Sequence, residues 1–120
     1  MESLIQSLFA VSPRVRYVAV LRGKELHLRE RPGLSGASAS ETDRYEELLV
    51  NPAVLTLLRR RGELDCGGLD HVWIRYGNFW TGLFPTDEGH VNVGLEPDAI
   101  PTEHVPAIRE VLARTNPARG

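Results

Sequence analysis

The stretch Val72-Trp73-Ile74-Arg75-Tyr76-Gly77-Asn78-Phe79-Trp80-Thr81-Gly82-Leu83-Phe84-Pro85, continued by Gly89-His90-Val91-Asn92-Val93-Gly94-Leu95, decides how the rest of the chain folds. Val72, Ile74 and Tyr76 alternate with His71, Trp73 and Arg75, and a period of two puts the two sets on opposite faces of a strand. Gly77-Asn78 is a short hairpin signal. Residues 79–84 are apolar on both faces, Phe79 and Leu83 against Trp80 and Phe84, which predicts an interior strand. After a turn at residues 86–89, residues 90–95 set Val91, Val93 and Leu95 inward and His90, Asn92 and Gly94 outward. The three runs make a meander.

Upstream, a helix starts near Glu41, with Ser40 and Asp43 spaced as a capping box and Tyr45, Leu48 and Leu49 as its apolar face. Asn51 offers a second cap, with Pro52 at the first helical position, where its missing N–H costs nothing. Val54, Leu55, Leu57 and Leu58 follow, then Arg59, Arg60 and Arg61 complement the helix dipole, and Gly62 ends the segment. Either one helix bends at Pro52 or two helices abut there. Residues 31–40 are a Gly/Ser-rich loop. Before it, residues 15–22 carry Val15, Tyr17, Ala19 and Leu21 on one face and Val18 and Val20 on the other, as a central strand does. Leu26 and Leu28 alternate with His27, Arg29 and Glu30, and that charge suits an edge strand.

Leu4, Ile5, Leu8 and Phe9 mark an opening helix closed before Pro13, and Val105, Ile108, Val111 and Leu112 mark a closing one, with Thr102 as its cap. The order is helix, two strands, helix, three strands, helix. Hairpins dominate, so the sheet is mostly antiparallel, and strands apolar on both faces require helices on both sides, an α+β fold in three α/β/α layers.

The chain's 120 residues form one domain, 1–120, with a tail at about 116–120 expected to be disordered. With 42% hydrophobic and 25% charged residues it has the make-up of a soluble globular protein. A formal net charge of −2 gives no general attraction for nucleic acid or anionic lipid. The sequence holds no apolar run long enough to cross a membrane and no basic leader, so a cytoplasmic protein is expected. The single cysteine, Cys66, excludes an internal disulfide.

The element order, and above all the meander from Val72 to Leu95, resembles the roadblock/dynein light chain family, whose fold is profilin-like and which has bacterial members. The resemblance runs from about Glu2 to Leu112. It implies a five-stranded sheet in the order 2-1-5-4-3, with the first and last helices on one face and the middle helix on the other. It also implies a homodimer in which the third strands pair across a twofold axis and the middle helices pack together. Val54, Leu55, Leu58, Val72, Trp73, Ile74 and Arg75 would form that interface. An edge strand and a helix this apolar agree with it, because pairing removes surface that a monomer would leave exposed. By the same resemblance the dimer is a non-catalytic regulator or adaptor of a small Ras-like GTPase, needing no cofactor.

Other chemistry is thin. His27, His71, His90 and His104 show no metal-ligand spacing and read as partly exposed strand and helix residues. Cys66 lies near His71, which sets out a less favoured reading as a Cys/His enzyme. Gly67-Gly68 lacks the Lys-Ser or Lys-Thr of a phosphate loop and reads as a turn. Arg59, Arg60 and Arg61 are the one basic cluster and the candidate partner-binding patch. The main alternative function is a profilin-like small-ligand sensor, which requires a pocket between sheet and helix lined by polar groups.

Overall fold

The computed structural model describes residues 1–115, so the tail from 116 lies outside the described residues. Helix α1 (Glu2–Phe9) leads into strands β1 (Val15–Arg22) and β2 (Glu25–Glu30). A helical rod follows, made of α2 (Ser40–Tyr45), a π-helical segment (Glu46–Val50) and α3 (Asn51–Asp65). Strands β3 (Val72–Arg75), β4 (Trp80–Pro85) and β5 (Gly89–Leu95), a 3₁₀ turn (Pro101–Glu103) and helix α4 (Val105–Thr115) complete the chain. The five strands form one antiparallel sheet in the order β2-β1-β5-β4-β3, as expected.

Alternation along each strand divides the core. Val18, Val20, Phe84, Val91, Val93 and Leu95 point to the face covered by α1 and α4, where they meet Leu4, Ile5, Leu8, Ile108 and Val111. Full burial of one such side chain contributes about 1.5–3 kcal/mol, so this layer is the main hydrophobic store of the fold. Trp73 joins it from β3: its ring covers Gly82, where any Cβ would overlap the indole, and meets the Phe84 ring edge-on at 5.9 Å. The opposite face carries Tyr17, Thr81, His90 and Asn92 and lies under the rod. His90 and Asn92 are therefore buried, not directed outward, because the rod and not solvent covers that side.

Four local readings need correction. The rod is one continuous helical run from Ser40 to Asp65, so two capped helices do not abut at Pro52. Asn51 is helical (φ −65°, ψ −41°), and the chain relieves the loss of the Pro52 N–H and the clash of its ring by widening to π geometry one turn earlier. The Ser40/Asp43 capping box does not form. Ala39 occupies the cap position, and the Asp43 carboxylate accepts from the Ser38 hydroxyl instead. Gly62 does not end the helix, which continues to Asp65; its carbonyl accepts from Cys66 N and Gly68 N, both at 3.0 Å. A Cβ there would stand 3.0 Å from the backbone of Gly68 and Leu69, so the glycine serves close approach of the returning chain, and Gly67 and Gly68 at φ +82° and +91° make the stop. Lastly, α4 begins at Val105 after the 3₁₀ turn, with Pro106 in its first turn, and Thr102 does not cap it.

Candidate functional site

The rod has an inverted polarity. Asp43, Glu47, Asn51 and Leu55 recur every four residues on one helical face, and these are the rod positions buried against the sheet. Tyr45, Leu49, Leu57 and Leu64 are instead 60% to 79% exposed, with Leu48 and Leu58 less so. The expected apolar face at Tyr45, Leu48 and Leu49 thus exists but looks away from the core. The physical reason is that the sheet beneath presents His90, Asn92 and Tyr17, and these select a polar stripe to meet them.

Glu47 is the centre of that contact and is 0% exposed. Its Oε1 accepts from Asn51 Nδ2 at 2.9 Å and lies 2.7 Å from His90 Nε2. Its Oε2 accepts from the Tyr17 hydroxyl at 2.8 Å and from Asn92 Nδ2 at 2.7 Å. Two partners on each oxygen fill the lone-pair sites of a carboxylate, which is how a buried acid is tolerated in a protein interior. Burial and the adjoining Glu47 charge push the Tyr17 phenol well above its usual value. Nothing local in the sequence signals this set beyond the Glu47/Asn51 spacing, since His90 and Asn92 lie 43 and 45 residues further along.

Beside the network, a cavity of about 250 Å³ opens between the sheet and the start of the rod. Tyr17, Thr81, Asn92 and Gly94 line it from the sheet; Thr42, Asp43, Glu46 and Glu47 from the rod; and Ala37, Ser38, Tyr76 and Phe79 at its rim. Glu46 accepts from the Tyr76 hydroxyl at 3.0 Å. Burial raises the Glu46 carboxyl above its ordinary value, more than the Tyr76 bond lowers it. Arg16, also in the wall, is buried and committed elsewhere: it donates to Glu96 Oε1 and Ser35 O at 2.9 Å and to Asn78 O at 3.2 Å, and stacks over the Phe79 ring.

The residues assigned to a dimer interface are divided by the structure. Leu58 is exposed on the rod and Val54 is half-buried, whereas Leu55, at 4% exposure, is already enclosed by the chain's own packing and is a core residue. On β3, Val72 and Ile74 face the rod side and Trp73 the other, all half-buried. Arg75 is exposed and lies over the Trp80 ring. Strand β3 pairs only with β4, leaving its outer edge without a strand among the described residues. Arg59, Arg60 and Arg61 are all exposed; Arg61 is paired with Asp65 at 2.6 Å, one turn on.

The other candidates separate. Cys66 contacts Arg61 and Asp65, while His71 pairs with Asp70 and stacks on Phe84 at 5.3 Å, so the two are not brought together as a nucleophilic pair. His90 is fully buried, contrary to the expectation of partial exposure, because Glu47 supplies its partner. Among the described residues no group of three or more His, Cys, Asp or Glu side chains is arranged to hold a metal ion, and no helix is long and apolar enough to cross a membrane.

A five-stranded antiparallel sheet in this order, with one helical rod on one face and two helices on the other, is the roadblock-like class of profilin-type fold. No protein-family model matches the chain, and no curated protein matches it. Among solved structures it is similar to the gliding protein MglB of Thermus thermophilus, with a TM-score of 0.65, 15% identity, and coverage of 94% of this chain and 87% of that one. It is also similar to an MglB with a tetrameric arrangement, with a TM-score of 0.61, 12% identity, and coverage of 94% and 82%. The chain has the MglB fold over nearly its whole length.

Proposed function

We propose that this chain is a homodimeric, non-catalytic regulator or adaptor that binds a small Ras-like GTPase. Two observations carry the reading: the outward apolar face of the rod, with Tyr45, Leu49, Leu57, Leu58 and Leu64 exposed, and the outer edge of β3, which has no strand partner among the described residues. Leucines this exposed on a helix whose buried stripe is polar have no role inside a single chain, and an apolar patch of this kind marks an interaction surface. A twofold axis beside β3 would pair two edges and bury two copies of the patch, an isologous contact. The MglB-like fold supports the same reading, as does the family resemblance carried by the meander.

In the dimer the exposed arginines Arg59 and Arg60, which have no ion-pair partner among the described residues, are the candidates for meeting an acidic or phosphate-bearing partner. The test is calorimetric titration of the chain with a small Ras-like GTPase from the same genome, loaded in turn with GDP and a non-hydrolysable GTP analogue. Saturable binding that distinguishes the two nucleotide states, weakened by Arg59→Glu with Arg60→Glu, supports the proposal. Absence of binding in both states across the genome's Ras-like GTPases overturns it.

A further inference from the structure

The sheet has two edges, and only one is guarded. Strand β2 carries Glu25, His27, Arg29 and Glu30, charges that discourage a further strand. Strand β3, Val-Trp-Ile-Arg, has neither proline nor acid, pairs with β4 without a register shift, and bears its one charge at Arg75. The backbone fixes which groups this open edge offers. In an antiparallel ladder, successive residues direct their N–H and C=O alternately to the neighbour on one side and to the other. Tyr76 N donates to Phe79 O at 3.0 Å across the β3–β4 turn, and Thr86 N donates to Gly89 O at 3.0 Å across the β4–β5 turn. Both bonds set the same phase: Val72, Ile74 and Tyr76 direct their peptide groups at β4, and Thr81 and Leu83 direct theirs at β3. The N–H and C=O of Trp73 and of Arg75 therefore point out of the sheet, four groups with no strand to receive them among the described residues.

That phase restricts how a second copy can pair. Residues directly opposite must both point their peptide groups at each other or both away, so a twofold strand pair centres on one residue facing its own copy. Centring on Arg75 sets two guanidinium groups face to face, a destabilising contact. Centring on Trp73 sends Arg75 to His71, and centring on Val72 sends Trp73 to His71 and Arg75 to Leu69, all outside β3. Centring on Ile74 sets Trp73 opposite Arg75 twice, and strand residues then satisfy all four outward groups of each copy. We infer that β3 pairs with β3 of a second copy in the register centred on Ile74, joining two five-stranded sheets into one. The inference rests on the dimer proposed above and names its contact. On the rod side Ile74 meets the partner's Ile74 and Val72 meets the partner's Tyr76, apolar against apolar. On the other side Arg75, which lies over the Trp80 ring at 5.6 Å, faces the partner's Trp73, a cation toward an indole.

Disulfide trapping reads the register. In a Cys66→Ser chain, which removes the exposed native thiol, a single cysteine replaces Val72, Ile74 or Tyr76, all on the rod side. Each variant is checked for folding by circular dichroism and for a dimer by sedimentation, then oxidised with copper phenanthroline and its mass read without reductant. Facing residues of a non-hydrogen-bonded pair stand about 4.5 Å apart at Cα, within disulfide reach, so Ile74→Cys should link into a covalent dimer. The two copies of Val72, and likewise of Tyr76, are offset by about 14 Å along the strands, so Val72→Cys and Tyr76→Cys should each stay unlinked alone. Co-expressed, those two variants should link to each other, which reads the same register should Ile74→Cys not fold or not dimerise. A dimer in which Val72→Cys or Tyr76→Cys links alone, a dimeric Ile74→Cys that stays unlinked, or a co-expressed pair that does not link would overturn this register while leaving the dimer. A native protein that sediments as a single chain would overturn the dimer and the register together.

Discussion

Replacing Glu47 by alanine removes the acceptor for four groups at once, Tyr17, Asn51, His90 and Asn92. Breaking a buried charged network by removing one partner is expected to cost about 3–5 kcal/mol, read as a lower urea midpoint. A loss under about 1 kcal/mol would mean that the network contributes little more than a single ordinary hydrogen bond. The tyrosines report on the same region. Tyr76 is pushed up to about 12, by burial first and then by its bond to Glu46, and Tyr17 is raised further, by burial and then by the Glu47 charge. Both shifts are upward, so the stability they bring is complete below the unfolded value of 10.0 and is lost as pH rises through the folded values. With the exposed Tyr45 replaced by phenylalanine, the folded protein should show almost no phenolate absorbance at pH 10; a half-maximal signal there, with native circular dichroism, would contradict the placement of both rings.

At the scale of elements, the sheet and the rod differ in how openly the chain announces them. Strand faces follow from a period of two, so Val91, Val93 and Leu95 could be set apart from His90, Asn92 and Gly94 without knowing what covers either side. That alternation is silent on what covers the polar set, which is the rod and not solvent. Hydropathy likewise assigns Tyr45, Leu48 and Leu49 to the core, and only the polar groups brought across from a distant strand reverse that choice. Gly62 misled for a related reason: a glycine beside three arginines resembles a helix stop, and its close contact with Gly68 and Leu69 exists only in the folded chain. That contact yields a prediction of opposite sign to the usual one. Glycine to alanine inside an open helix stabilises by up to about 1 kcal/mol, whereas Gly62→Ala, wedged against backbone, is expected to destabilise by about 1–3 kcal/mol in thermal or urea unfolding. A more stable variant would show that the returning loop gives way.

For the molecule as a whole, the three-layer arrangement was legible because element order, hairpin signals and doubly apolar strands all pointed to one topology, and the sheet adopts it. The site was less legible, since the residues that distinguish this molecule, Glu47, Asn51, His90 and Asn92, act only together. The apolar outer face of the rod sits opposite them, and the polar stripe that satisfies the sheet leaves the leucines unspent. The proposed dimer uses those leucines together with the outer edge of β3. Charged substitutions at Leu57 and Leu58 would leave the buried stripe untouched, and so they separate assembly from folding more cleanly than any change at Trp73, which packs on Gly82 and Phe84. The most direct measurement is sedimentation equilibrium of the native chain and of Leu57→Glu with Leu58→Glu, both confirmed folded by circular dichroism. The account predicts a mass of twice 13.4 kDa, or an even multiple of the chain, for the native protein and a single-chain mass for the variant. A native protein that sediments as one chain at micromolar concentration, or a variant whose mass does not change, would contradict it.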